Sequence, residues 1–364
     1  MGPRRQLASC RRVVVKVGSG LITTPAAGAD QGRIDALADE IAAARDGREV
    51  VLVSSGAIVT GMARLALSER PQSIPEKQAA AAVGQSALMW HYEAAFKRHG
   101  ITVGQVLLTA EDIADRARYL NARNTLQALL RFGVLPVVNE NDTVAVEEIK
   151  VGDNDNLSAL VAACVDADLL VLLTDVDGLY TGDPRVDPAA QKLDTVEAIT
   201  DDVMRLVWDR ADRISVGGMA TKLTAAQKAA ASGVPMVIAS GREPGALARL
   251  LAGEPVGTYF QPKAERLTAR KRWIAFAVPP QGRLTVDAGA RRALGEQNRS
   301  LLPSGVIDVD GDFAAGEIVA VVTGDGKEFA ECRKIRGAKT REIEERLGYR
   351  SFDEVIHRDN LVIL

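Results

Sequence analysis

Two lysines in this sequence stand where a charged side chain needs a reason. Lys16 interrupts the apolar run Val13–Val17 and is followed by Gly18-Ser19-Gly20; Lys222 comes just after Gly217-Gly218, inside a helical segment, Met219–Ser232. Glycine lets backbone N–H groups approach a ligand closely, and a helix start favours an anion. Two fixed cations beside Gly-rich turns suit a phosphate chain. The plain alternative for Lys16 is a surface lysine at a strand edge, and its place inside an apolar run argues against it.

A second pattern is acid and amide. Asn139-Glu140-Asn141-Asp142 and Gly152-Asp153-Asn154-Asp155-Asn156 are dense in both. Carboxylates suit an ammonium, while amides and N–H groups suit a carboxylate, so the two clusters together suit a zwitterion. Taken singly, the first could be a turn, and Asp155 or Asn156 a helix N-cap. The second run lacks the remaining ligands and closing Glu of a calcium loop, and no metal ligands can be assigned. A Walker A loop is excluded, because the single Gly-Lys, Gly326-Lys327, is followed by Glu328. Gly18-Ser19-Gly20 continues to Thr23, where a dinucleotide fingerprint needs Gly or Ala, so a nicotinamide-dependent oxidoreductase is a weak rival. His91, His99 and His357 sit at none of these clusters.

The elements that position them read as alternating strands and helices. Val13–Val17, Val50–Val53, Val103–Leu108, Val134–Val138, Leu169–Leu173 and Val234–Ala239 are short apolar runs, as strands covered on both faces of a parallel sheet should be. Between them lie a helix through Ile34, Leu37, Ala38 and Ile41 ending at Gly47, and a long one from Pro75 to Gly100. Others run from an Asn121 cap to Gly133, over Asn156–Val165, and over Met219–Ser232. Thr143–Val151 suggests a short ribbon or a surface excursion. The expected fold is a three-layer α/β/α sandwich on a mainly parallel sheet. Five strands end in small polar loops: Lys16–Gly20, Ser54–Ala57, Asn139–Asp142, Thr174-Asp175 and Ser240-Gly241. Ligands of open α/β sheets lie at that edge, so one extended site is expected there.

The 364 residues favour two domains. Near Pro255–Arg272 the texture becomes that of a linker, and short alternating strands follow at Arg283–Val286, Gly305–Val309 and Ile318–Val322. Residues 1–262 are read as the catalytic domain and 263–364 as linker plus a small β-rich domain. A net charge of −3 speaks against a protein that lives by wrapping nucleic acid. Cys10, Cys164 and Cys332 form no CxxC pair, which suits a reducing cytoplasm. No apolar run reaches membrane-spanning length, and no leader h-region follows the N-terminal arginines.

The ordered motifs Val-Lys-Val-Gly-Ser (15–19), Ser-Ser-Gly-Ala-Ile (54–58), Asn-Glu-Asn-Asp (139–142), Lys-Val-Gly-Asp-Asn-Asp-Asn-Leu-Ser-Ala (150–159), Leu-Leu-Thr-Asp-Val-Asp-Gly-Leu-Tyr (172–180) and Gly-Gly-Met-Ala-Thr-Lys (217–222) resemble the amino acid kinase family. The resemblance is to its glutamate-phosphorylating members, and Ala81–Gln85 with Leu120–Arg123 agrees. Arg270–Trp273 and Leu301–Gly305 look like the C-terminal PUA domain of those members. The resemblance implies ATP and Mg²⁺ as cofactors, L-glutamate as acceptor and γ-glutamyl phosphate as product, the first step of proline synthesis. It further implies proline feedback inhibition, a homo-oligomer and weak RNA contact through the tail domain, with no membrane partner. By motif position, Lys16 and Lys222 would act on the transferring phosphoryl group and Asp155 would position them. Ser55, Asp142 and Asn154 would hold glutamate. Lys16, Gly18, Thr174, Asp175, Val216, Gly217, Gly218, Met219, Ala220, Thr221 and Lys222 would hold ATP. One departure is Ser215-Val216 where the family usually has Gly-Thr, which puts a polar nucleotide contact in question. Aspartate, acetylglutamate, carbamate and UMP are the acceptors of rival branches, and the loops Asn139–Asp142 and Asp153–Asn156 favour glutamate.

Overall fold

The structure, a computed structural model, describes residues 3–24, 26–145, 154–184, 186–206, 218–262, 280–297, 299–313, 318–326, 328–333, 355–358 and 361–363. The chain divides into two compact units, Met1–Arg266 and Leu267–Leu364.

In the first unit the strands are β1 (Arg12–Val17), β2 (Glu49–Ser54), β3 (Val103–Leu108), β4 (Leu135–Glu140), β5 (Leu169–Thr174), β6 (Thr195–Val196), β7 (Met236–Ser240) and β8 (Thr258–Phe260). The principal helices are α1 (Gln31–Ala44), α2 (Ala57–Arg64), α3 (Ile74–Lys97), α4 (Arg116–Arg131), α5 (Asn154–Cys164), α6 (Met219–Ala231) and α7 (Ala246–Leu251). They build a three-layer α/β/α sandwich on an eight-stranded sheet of order β3-β4-β2-β1-β5-β7-β8-β6. All neighbours are parallel except β7 and β8.

The side-chain period of two sorts β1 between the layers. Val13, Val15 and Val17 share one core with Ile34, Ala38 and Ile41 of α1, Leu88 and Phe96 of α3, and Leu247 of α7. Lys16 alternates with them, so it points to the other layer, where α5 and α6 pack together and α5 meets β1. A lysine in the central strand is thereby buried beneath two helices.

Three sequence expectations change. Helix α4 starts at Arg116, and its N-cap is Asp115, whose carboxylate accepts from the Arg118 N–H; Asn121 lies within the helix. Strand β3 is an edge strand with Gln105 exposed, not a strand covered on both faces. Thr258–Phe260, inside the stretch read as a linker, is buried and pairs antiparallel with β7.

Helices α2 and α3 cross at glycines. A Cβ on Gly84 would stand 1.8 Å from the Ala57 carbonyl oxygen, and one on Gly61 1.7 Å from that of Ala80. Real side chains cannot occupy that space, so the helices must separate if either is replaced. Gly84→Ala is expected to destabilise the first unit by roughly 2–4 kcal/mol, read from the urea midpoint; a midpoint equal to wild type would contradict this contact.

The second unit is a five-stranded mixed sheet. Its strands are β9 (Gly282–Val286), β10 (Val306–Asp310), β11 (Ile318–Thr323), β12 (Glu328–Arg333) and β13 (Leu361–Ile363), in the order β10-β9-β11-β12-β13. Helix α8 (Ala288–Gly295) contributes Leu294 to a core with Leu284, Val286, Val319, Val321 and Ile356. No helix among the described residues is long and apolar enough to cross a membrane.

Candidate active site

The ends of β1, β2, β4 and β5 open on one cleft of about 160 Å³. Lys16, Gly18, Gly20, Ser55, Gly56, Asn139, Glu140, Asp142, Asn154, Thr174, Asp175 and Lys222 line it. Residues far apart in sequence therefore meet because parallel strands present their carboxyl ends together.

At its base stands Asp155, fully buried in the first turn of α5. Lys16 Nζ lies 2.5 Å from its Oδ1 and Lys222 Nζ 3.1 Å from its Oδ2. The Thr221 hydroxyl also donates to Oδ2 at 3.0 Å. Burial would push the Asp155 carboxyl up, but the two ammonium groups outweigh it and hold the carboxyl below its usual range. Both lysines line the cleft and Asp155 does not. Asp155 thus fixes two cations side by side and faces no ligand itself.

Beside the lysines is an amide cluster. Asn154 Nδ2 donates to Ser55 Oγ at 2.9 Å and to Asn139 Oδ1 at 3.0 Å. Asn139 is 2% exposed and donates to Gln85 Oε1 at 2.7 Å. The loop bearing Ser55 is held from behind, since Ser54 Oγ and Tyr92 Oη are 2.7 Å apart in the core. Gly56 turns the chain into α2 with φ +108°, a conformation glycine adopts without steric cost. Asp142 is half-buried, and burial pushes its carboxyl up to about 6.

The expected nucleotide residues fall into three groups. Thr174 and Asp175 line the cleft, with the Thr174 hydroxyl donating to Asp175 Oδ1 at 3.1 Å. Gly18 lines it too, but its own N–H donates to the Leu173 carbonyl. The turn's amides for an anion are therefore those of Ser19 and Gly20, which open the short helix Ser19–Ile22. Gly218, Met219, Ala220 and Thr221 are not lining residues; Met219 belongs to the core. Val216 and Gly217 lie outside the described residues, as do Ser215, Lys150–Asp153, the Val146–Val151 part of the ribbon and Arg270–Trp273. Gln85 and Arg70 had no place in the polar-loop reading. Arg70 comes from the α2–α3 connection and lines the cleft; neither residue sits at a strand end, the one signal that reading used.

A parallel sheet that gathers paired lysines and an amide–carboxylate pocket at one edge is the frame of a small-molecule phosphotransferase. The chain belongs to the amino acid kinase family, whose model matches residues 11–240; the PUA domain model matches residues 282–343. Its relatives include Glutamate 5-kinase of Moorella thermoacetica, 52% identical over 99% of this chain and 98% of that one. Glutamate 5-kinase of Myxococcus xanthus is 51% identical with the same coverage, and that of Geobacter sp. is 51% identical over 98% of this chain and 99% of that one.

Proposed function

We infer that this chain transfers the terminal phosphoryl group of ATP to the side-chain carboxylate of L-glutamate, forming γ-glutamyl 5-phosphate, the first step of proline biosynthesis. The observation that carries the reading is the Lys16–Asp155–Lys222 cluster beside the Ser55–Asn154–Asn139 cluster. The near full-length likeness to glutamate 5-kinases supports the choice of acceptor.

The chemistry fits the residues. A glutamate side chain with a pKa of about 4.3 is ionised at neutral pH, so the attacking oxygen needs no general base, and among the described residues no histidine lines the cleft. The obstacle is repulsion between that carboxylate and the phosphates. Lys16 and Lys222 offset it and fix the γ-phosphoryl group, while Ser55, Asp142 and Asn154 hold glutamate in line. Thr174, Asp175 and the loop Val216–Lys222 hold the rest of the nucleotide. Mg²⁺ bound with ATP would supply charge neutralisation at the phosphate oxygens. Among the described residues no group of three or more His, Cys, Asp or Glu could hold a metal ion. The PUA domain supports a secondary reading of weak RNA contact, tested by filter binding of tRNA at moderate salt.

The test is ADP release with glutamate, aspartate, N-acetylglutamate and UMP offered separately, with hydroxylamine trapping the acyl phosphate. Glutamate-dependent ADP release with hydroxamate is expected; turnover with another acceptor alone would overturn the assignment.

Asp142 gives a pH signature. Ionised, it pairs with the substrate ammonium; protonated, it cannot. Since kcat/KM reports groups of the free enzyme, kcat/KM for glutamate should fall as pH drops through about 6. Asp142→Asn should raise KM about tenfold or more and lose that inflection. A variant that keeps the inflection would assign it elsewhere.

A further inference from the structure

One backbone amide sets the polarity of the amide cluster. The Glu140 N–H can only donate, and it donates to Asn139 Oδ1 at 2.9 Å. Asn139 Nδ2 must then face Gln85, and Gln85 must present its oxygen, as it does at 2.7 Å. The Asn154 atom meeting Asn139 Oδ1 must in turn be Nδ2. That same Nδ2 reaches Ser55 Oγ, so the Ser55 hydroxyl accepts there and keeps its proton for another acceptor. Asn154 Oδ1 is left as a buried acceptor with no partner among the described residues. The sequence of bonds thus leaves a buried, unpaired acceptor on Asn154 and a donor on Ser55, two neighbouring residues that line the cleft.

We propose that Gln85, on α3, is a positioning residue that holds Asn139 in the orientation the Glu140 amide sets and thereby keeps the acceptor subsite selective for a zwitterion, its ammonium group at Asn154 Oδ1 and a carboxylate at the Ser55 hydroxyl. Gln85 touches neither reactant. It acts by holding Asn139, whose other amide face is tied to the backbone. A second glutamine two turns earlier on α3 supports the loop that follows β4: Gln78 Nε2 donates to the Ala145 carbonyl at 3.1 Å. Helix α3, anchored in the core by Tyr92 and Phe96, therefore braces the end of β4 and the loop after it, at one point each.

The proposal rests on glutamate being the acceptor, and wild-type turnover of glutamate, measured in the same series, separates a failure of that reading from a failure of this one. Gln85→Met keeps the length of the side chain and removes its acceptor; Gln85→Glu keeps an acceptor. Gln85→Met is expected to raise the glutamate KM about tenfold, with kcat and the ATP KM within about threefold. Gln85→Glu is expected to restore a KM within about threefold of wild type. Glutarate, which lacks the ammonium, serves as a competitive probe: in Gln85→Met its Ki should change less than the glutamate KM does, so the preference for glutamate narrows. Thermal melting of both variants verifies that they are folded. A glutamate KM unchanged in Gln85→Met, equal damage in Gln85→Glu, or equal changes for glutamate and glutarate would overturn the proposal.

Discussion

Lys222→Ala is expected to lower kcat for γ-glutamyl phosphate formation on the order of 10²–10³-fold while the chain stays folded. The fold should survive because Asp155 keeps Lys16 as its partner at 2.5 Å, so no buried charge is left alone. The rate should fall because the remaining lysine faces the transferring phosphoryl group from one side only. Lys222 is 7% exposed, and a planar guanidinium does not reproduce a compact ammonium in so closed a place, so Lys222→Arg should recover little. Trapping of hydroxamate under saturating ATP and glutamate measures the effect. A kcat within a few-fold of wild type would remove Lys222 from the mechanism.

Asp155→Asn carries the largest expected cost in stability. The variant leaves two buried ammonium groups facing an amide, and breaking a buried ion cluster at one partner costs about 3–5 kcal/mol. For a unit of this size that corresponds to a melting temperature lower by roughly 6–15 °C. The pH dependence follows from the direction of the shift. The folded carboxyl is held below its usual range, so its contribution is complete above the unfolded value of about 3.9 and is lost as pH falls through the folded value. The gap in melting temperature between wild type and Asp155→Asn should therefore be widest near neutrality and close in acid. A gap that does not change with pH would mean that the ionic contacts are not its cause. Activity should also be lost, since both lysines lose the group that orients them.

Strands buried on both faces were legible from their apolar runs, which only Lys16 in β1 interrupts: β1, β2, β4, β5 and β7 all fall where Val, Ile and Leu cluster. Strand β3 carries Gly104 and Gln105 and was legible as a strand but not as an edge, because neighbours in a sheet are set by topology. Strand β8 was hidden, since Thr258–Phe260 is only three residues long and is buried through its pairing with β7. In the site, Lys16 was legible because a charge inside an apolar run has few innocent explanations. Asp155 was harder, as an acid at a helix start is usually a cap; only the third dimension brings Lys16 and Lys222 to it. Gln85 was invisible as chemistry, because on α3 it reads as an ordinary polar residue of a helix surface.

Asn154 and Asp155 are consecutive residues in the first turn of α5. One lines the cleft and the other pairs with Lys16 and Lys222, so in the proposed reaction a single peptide link, with Cα atoms about 3.8 Å apart, would set the spacing between the acceptor and the phosphoryl group. The helix behind them has no freedom to adjust, since every residue from Asp155 to Cys164 is buried. In the proposed reaction a tilt of α5 would shift nucleophile and electrophile as one registered pair, and changes in its packing should alter affinity and turnover together. Drift toward a new acceptor is then open mainly to the opposite walls, the β2 and β4 loops, while the α5 turn acts as a fixed gauge for the distance over which phosphorus travels.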